Sequence, residues 1–342
     1  MTLNICCDRI SEIFKETVRF LNLLSASEDI TAQDFKELEN FIEQSIREDN
    51  FISETCRPLV SGGKRLRPML FLLCSRAKNF SSNEKALPLA TALELIHTAS
   101  LVHDDILDGA KKRRGVETIN SKYGAQISVL VGDYLFAKAF QLVAKNNYGD
   151  EVAAVLSELV KNLCVGEIMQ DRSLFVVPTL SEYYTRINLK TAVFLSSCCR
   201  LGGIISGMDE KEIDGLAFYG NSLGLAFQIV DDILDFFGDE KVTGKIVGGD
   251  LKSGVMTLPV IRALNVSKDS KILREIVTRQ EVTSSDIQNA IKIIKSTDAI
   301  EYCKMRAMAH IDSALVNLPF GIKTSVRLAL EKIADFVIDR NW

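Results

Sequence analysis

The 342-residue chain has only six prolines, no Ser/Gly-rich tract and no block of one charge, so nothing in it reads as a linker. A length prior of about two domains therefore yields to an expectation of one large domain over 1–342. The net charge of −4 gives no electrostatic case for nucleic acid as a partner. No C-x-x-C occurs: Cys6–Cys7 and Cys198–Cys199 are adjacent pairs, and Cys56, Cys74, Cys164 and Cys303 are scattered. That pattern excludes zinc-type spacing and, without a signal-peptide-like start, points to reduced thiols in the cytoplasm. Asp8, Glu12 and Glu16 disfavour a transit peptide. No uninterrupted apolar run reaches the roughly 18 residues of a membrane span, and strand-type alternation is weak throughout. The expected fold is all-α, a helical bundle around one elongated central cavity.

What the chain does have is Asp-Asp-Ile-Leu-Asp, twice: Asp104–Asp108 and Asp231–Asp235, each ending a long apolar, helix-like run. Residues four apart share a helix face, which stacks Asp104 over Asp108 and Asp231 over Asp235. Asp105 and Asp232 lie beside them, giving two groups of three carboxylates. Neighbouring like charges repel by about 1 kcal/mol in water and several times more near an apolar surface, so each group needs open water or a cation. A solvated helix end would suffice for one isolated copy. Here Leu101, Val102, Ile106 and Leu107 flank the first, and Ile229, Val230, Ile233, Leu234, Phe236 and Phe237 the second. Hard oxygen donors beside apolar surface suit Mg²⁺, which binds through a few carboxylates and substrate phosphates. Two such clusters point to a diphosphate clamped through metal from both sides.

In chain order, residues 1–50 offer packing helices: 8–24 at helical spacing, then Thr31 as an N-cap. Gly62-Gly63-Lys64-Arg65-Leu66-Arg67-Pro68 crowds three cations at a helix start, a pattern that binds anions, although a basic turn alone is more often plain surface. Residues 89–108 read as one helix ending at Gly109, with His97, Ser100, Asp104 and Asp108 on one stripe. That stripe makes His97 a better ligand candidate than His103 or His310. Lys111-Lys112-Arg113-Arg114-Gly115 follows, able to meet phosphate charge or only to form local salt bridges. Further helices are expected over 125–145, containing Gly132-Asp133, and over 151–170. In the latter, the polar pair of Gly166-Glu167-Ile168-Met169-Gln170 serves either a cavity or helix contacts. Tyr183 to Ser197 carries Lys190-Thr191 on one helix, and a buried lysine needs a partner. The helix from about 214 to 237 holds Gly220, Gly224 and Phe227-Gln228. Residues 238–254, with five glycines and Lys241, Lys245 and Lys252, have the composition of a mobile lid. Four or so amphipathic helices fill 260–342, with start signals at Thr283–Asp286 and Thr297-Asp298.

These motifs, spread over 60–260, resemble in content and order those of the trans-isoprenyl diphosphate (polyprenyl) synthases. The matching segments are Gly62–Pro68, Glu94–Asp108 with Arg113-Arg114-Gly115, Gly132-Asp133, Lys190-Thr191, Phe227–Asp235, Gly244-Lys245 and Gly249-Asp250-Leu251. The resemblance implies the all-α isoprenoid synthase fold, with substrate and metal between the two acidic helices. It implies roughly three Mg²⁺ ions bound together with substrate, with Mn²⁺ as a possible replacement. It implies Asp104, Asp108 and Asp231 as direct metal ligands, with Asp105, Asp232 and Asp235 acting directly or through water. The allylic diphosphate falls to Arg113, Lys190 and Lys245, and isopentenyl diphosphate to Lys64, Arg67, His97 and Arg114, with Arg65 a weaker candidate. Thr191 and Gln228 would stabilise an allylic cation. A homodimer is the family's usual state, and a heteromer with a small non-catalytic subunit is the other. One departure is Val255, where the family often carries lysine.

Ala99 and Ser100 stand five and four residues before Asp104, where shorter-product relatives tend to carry aromatic rings. Small side chains there predict a product of about six to ten isoprene units, C30–C50, unless Phe136 or Phe140 closes the tunnel. A farnesyl or geranylgeranyl synthase and a silent regulatory subunit are the alternatives. A terpene cyclase would need neither Gly62–Pro68 nor two full acidic motifs.

Overall fold

The computed structural model describes residues 32–61, 65–78, 82–113, 115–237 and 247–339. The expected helix over 8–24, the Thr31 cap, Gly62–Lys64, Arg114 and the 238–246 part of the glycine-rich segment lie outside them. Among the described residues the only strands are Lys112–Arg113 and Val116–Glu117, a two-residue antiparallel pair. The all-α expectation holds.

Two compact units arise. The first takes its described residues from Met1–Ser157, Cys198–Ile213 and Phe320–Ala329; the second takes them from Glu158–Ser197, Asp214–Pro319 and Leu330–Trp342. The axis of the first is the helix Asn83–Leu107, which packs against Ala32–Ser45, Leu66–Ser75 and Ala125–Lys145. Its middle is buried all round: Leu89, Ala92, Leu93, Leu95, Ile96 and Ala99 expose nothing. A helix apolar on every side belongs inside a protein. It starts six residues earlier than the expected 89, because Pro88 removes one backbone hydrogen bond without ending the helix. The turn from Ser82, whose carbonyl accepts from Lys85 and Ala86, already holds the chain there. It stops where expected: Asp108 is the C-cap and Gly109, at φ +58°, takes the left-handed conformation that glycine tolerates.

Ala125–Lys145 is, by length and composition, apolar enough to cross a bilayer. Asp133 and Lys138 interrupt its sequence. Lys138 pairs with Glu48 at 2.8 Å, and one face packs on Asn83–Leu107.

The second unit has its own core, formed by Phe236, Leu251, Met256, Val260, Leu273, Ile276, Ile294 and their neighbours. From Leu258 four helices follow in this unit, to Val316, and it also holds the part of Thr324–Ile338 from Leu330 onward. The expected start at Thr283 is a full capping box with Asp286. The signal at Thr297-Asp298 also marks a start: Asp298 is the N-cap residue of Ala299–Val316, although its side chain is held by Arg262 (2.9 and 2.5 Å) and makes no cap hydrogen bond. One further helix is broken. Tyr183–Ser197 is the end of Leu180–Ile187, a π turn over Asn188–Ala192, and the start of Val193–Ile205. The π turn holds Lys190 and Thr191; such single turns recur at functional sites.

Candidate active site

In the first unit the three carboxylates do not form one group. Successive helix residues point about 100° apart, and Asp105 turns inward: it is 5% exposed and accepts from Arg113 Nε at 2.8 Å. Burial pushes its carboxyl above the usual range, against the pull of Arg113. Asp104 is half-buried and Asp108 exposed. Among the described residues no three His, Cys, Asp or Glu side chains are already gathered as a metal site. What is present is a set of hard carboxylate oxygens backed by a buried ion pair. That donor chemistry fits Mg²⁺, which takes its remaining ligands from water and phosphate.

Arg67 and His97, assigned to the same ligand from sequence, do come together: Nη1 of Arg67 lies 3.2 Å from Nε2 of His97. Arg65, the weaker candidate, is committed elsewhere. It is 4% exposed, donates to Glu94 at 2.6 Å and to Glu39 at 2.5 and 3.1 Å, and also reaches the Val60 carbonyl. The Gly132-Asp133 motif has a steric meaning. A Cβ on Gly132 would lie 2.1 Å from His103 Nε2, so the bare backbone is what lets the ring of His103 lie there, 3.7 Å from Asp133.

In the second unit Asp232 is the centre. It is 2% exposed, accepts from Tyr183 Oη at 2.7 Å and from Gln228 Nε2 at 3.0 Å, while Thr191 Oγ1 donates to Gln228 Oε1 at 2.8 Å. Burial, with Asp250 nearby, pushes its carboxyl up to about 7; the hydrogen bonds from Gln228 and Tyr183 pull the other way. Asp235 is also buried and accepts from the backbone N–H groups of Gly249 (3.1 Å) and Asp250 (3.2 Å). Asp231 remains half-buried. Val255 is half-buried, with its N–H donating to the Asp250 carbonyl. Lys190, 33% exposed, pairs with Glu167 at 2.9 Å. Lys64, Arg114 and Lys245 fall outside the described residues.

Tyr183 was missed from sequence. Its one signal was register: it stands seven positions before Lys190, on the same side of an uninterrupted helix, and the π turn obscures even that. The turn itself is fitted against Gly224, where a Cβ would lie 2.5 Å from Ala192 Cα. Gly224→Ala should therefore destabilise. Overpacking costs about 1–3 kcal/mol, against a helix-propensity gain of at most about 1 kcal/mol. A melting temperature that rises in G224A would refute this packing.

Comparisons with known proteins give the family. The Polyprenyl synthetase family model matches residues 49–294. The chain is 36% identical over 332 residues to heptaprenyl diphosphate synthase component 2 of Bacillus subtilis (strain 168), covering 96% of this chain and 91% of that one. To a short chain isoprenyl diphosphate synthase of Methanocaldococcus jannaschii it is 35% identical, over 89% of this chain and 93% of the other. A crystal structure of polyprenyl synthase from Caulobacter crescentus CB15, complexed with calcium and isoprenyl diphosphate, superposes with a TM-score of 0.84 at 31% identity. That match covers 95% of this chain and 98% of the other. A match through most of the sequence, with acidic motifs, Arg67–His97 and Lys190-Thr191 on the helices just described, leaves one conclusion: this chain belongs to the polyprenyl synthetase family and is a trans-prenyltransferase.

Proposed function

We propose that the protein is a Mg²⁺-dependent synthase that condenses isopentenyl diphosphate with an allylic diphosphate to give an all-trans polyprenyl diphosphate longer than farnesyl. The observation that carries this reading is the division of labour within both acidic motifs. In each, the second aspartate is buried on a protein partner (Asp105 on Arg113, Asp232 on Tyr183 and Gln228), while the first is left half-buried. Asp104, Asp108 and Asp231 would be the direct ligands of Mg²⁺, and Asp105, Asp232 and Asp235 would hold them in place or reach the ions through water. Bound there, Mg²⁺ supplies positive charge to a departing diphosphate.

The chain's own groups do the rest. Lys190, Arg113 and Lys245 hold the allylic diphosphate; Lys64, Arg67, His97 and Arg114 hold isopentenyl diphosphate. The allylic C–O bond breaks with its electron pair leaving on diphosphate. The double bond of isopentenyl diphosphate then forms the new C–C bond, and a proton passes to the released diphosphate. Thr191 spends its hydroxyl proton on Gln228, which leaves the lone pairs of its buried oxygen as a dipole for the allylic cation. Positioning carries the step, with no covalent enzyme intermediate.

Purified protein incubated with Mg²⁺, farnesyl diphosphate and labelled isopentenyl diphosphate should move label into organic extract, and chelator should abolish it. No label, even with a small subunit added, would favour the silent-subunit reading. The B. subtilis relative, named as a component, motivates that arm. A homodimer is proposed on the apolar exposure of Val129, Leu130 and Phe140 along Ala125–Lys145. The six described cysteines are free thiols, in keeping with a cytoplasmic enzyme.

Product length is read from the helix Asn83–Leu107, which carries Asp104. Ala99 is fully buried, and half-buried Ser100 donates to the His97 carbonyl. The ring of Phe136 lies tilted beside that of His103, centroids 5.8 Å apart, and Phe140 is 36% exposed. Ala99→Phe should shorten the product, at about 1–3 kcal/mol of overpacking; an unchanged product spectrum by chromatography would refute the tunnel assignment. The similarity to a short-chain synthase keeps a C15–C20 product as the alternative, and the same chromatogram decides it.

A further inference from the structure

Glu167 has no part in the chemistry described so far, yet it touches a charge on which that chemistry depends. It sits near the end of the helix Asp150–Arg172, 17% exposed, with Oε2 2.9 Å and Oε1 3.2 Å from Lys190 Nζ. Oε1 also accepts from Gln170 Nε2 at 3.2 Å, so the carboxylate is held from its own helix while it holds the lysine. The pair is not a neighbouring-turn surface pair, since it joins two elements across 23 positions of sequence. A second observation is steric. A Cβ at Gly166 would lie 3.0 Å from Leu189 Cβ and 3.1 Å from Lys190 N. The side-chain-free residue just before Glu167 therefore lets the π turn settle against this helix, which brings Lys190 within reach of the carboxylate.

A lysine embraced by both oxygens of a carboxylate cannot give its whole charge to a diphosphate. Its ammonium must leave Glu167 or be shared with it. We infer that Glu167 is a positioning residue which parks Lys190 in the substrate-free enzyme and competes with diphosphate for it, thereby limiting how tightly the diphosphate product is retained. The inference rests on the assignment of Lys190 to the allylic diphosphate. The rival is an ordinary ion pair, and partly exposed pairs add little to stability and have no bearing on ligand affinity.

The test is calorimetric titration of inorganic diphosphate, in the presence of Mg²⁺, into wild-type, Glu167→Gln, Lys190→Gln and double-variant proteins, with steady-state kinetics alongside. Glu167→Gln keeps the shape and the Gln170 contact but removes the charge. It should tighten diphosphate roughly three- to tenfold, tenfold corresponding to about 1.4 kcal/mol. It should lower KM for the allylic substrate by a similar factor without raising kcat. In the Lys190→Gln background the same change should have no effect on binding. Should Glu167→Gln not fold, Glu167→Ser takes its place with the same expectation. Unchanged or weaker diphosphate binding in E167Q overturns the inference, as does tightening that persists without Lys190. A wild-type protein that binds no diphosphate with Mg²⁺ overturns the functional reading itself, and this inference with it.

Discussion

Asp104→Ala is expected to lower kcat/KM for isopentenyl diphosphate condensation roughly 10³-fold, the scale seen when one preorganised group is removed from charge developing in a transition state. Stability should move by no more than about 1 kcal/mol, because the side chain is half-buried and sits at the last turn of its helix. The neighbouring position should behave differently. Asp232→Ala leaves Tyr183 Oη and Gln228 Nε2 facing a void in a site that is 2% exposed, so it should cost both activity and fold. Comparing the pair by labelled-substrate kinetics and denaturant melts separates a group that meets the ligand from one that holds its neighbours. If Asp104→Ala keeps more than about a tenth of wild-type activity, the assignment of metal to that carboxylate is wrong.

The second large effect is on stability alone. Arg65→Ala should cost about 3–5 kcal/mol, the penalty for stranding a buried carboxylate. Glu94 is 6% exposed and loses its 2.6 Å partner, and Glu39 loses two contacts. Burial alone would lower the pKa of Arg65, but Glu94 and Glu39 more than offset it and raise it, so the guanidinium stays charged inside. The position carries strain as well, since Arg65 adopts φ +50° just before the helix Leu66–Ser75. Lysine should rescue little, lacking the planar fork that serves both carboxylates. Urea unfolding of Arg65→Ala and of Arg65→Ala with Glu94→Leu checks this: the second change should recover much of the loss. Turnover per folded molecule should stay near wild type, because Arg65 is engaged with protein groups. A proportionate fall in turnover would restore Arg65 to the substrate contacts.

How far the sequence could be read is clearest at the two acidic motifs. Their place on helix ends followed from spacing and from Gly109, and both helices end there. The grouping of each trio did not follow, because a one-dimensional stripe carries no information on what lies behind a helix. Asp105 finds Arg113 eight residues on, in the first strand of the short hairpin, and Asp232 finds a tyrosine 49 positions away. The basic heptapeptide shows the same limit. Three cations crowded into four positions look equivalent in sequence; burial separates Arg65, tied to Glu94, from Arg67, set beside His97. Lys190 was expected to want a counter-charge, and the counter-charge is Glu167, from a motif that sequence had left undecided.

Local chemistry therefore determined the all-α class, the helix ends, the capping box at Thr283 and the two acidic motifs, because each depends on residues within a turn or two of one another. The π turn at Asn188–Ala192, the bare contacts at Gly132, Gly166 and Gly224, and the partners of Asp105, Asp232, Arg65 and Lys190 were decided only by tertiary packing. The reason is physical: a buried charge or a missing Cβ is satisfied by whatever the fold brings alongside, often from dozens of residues away.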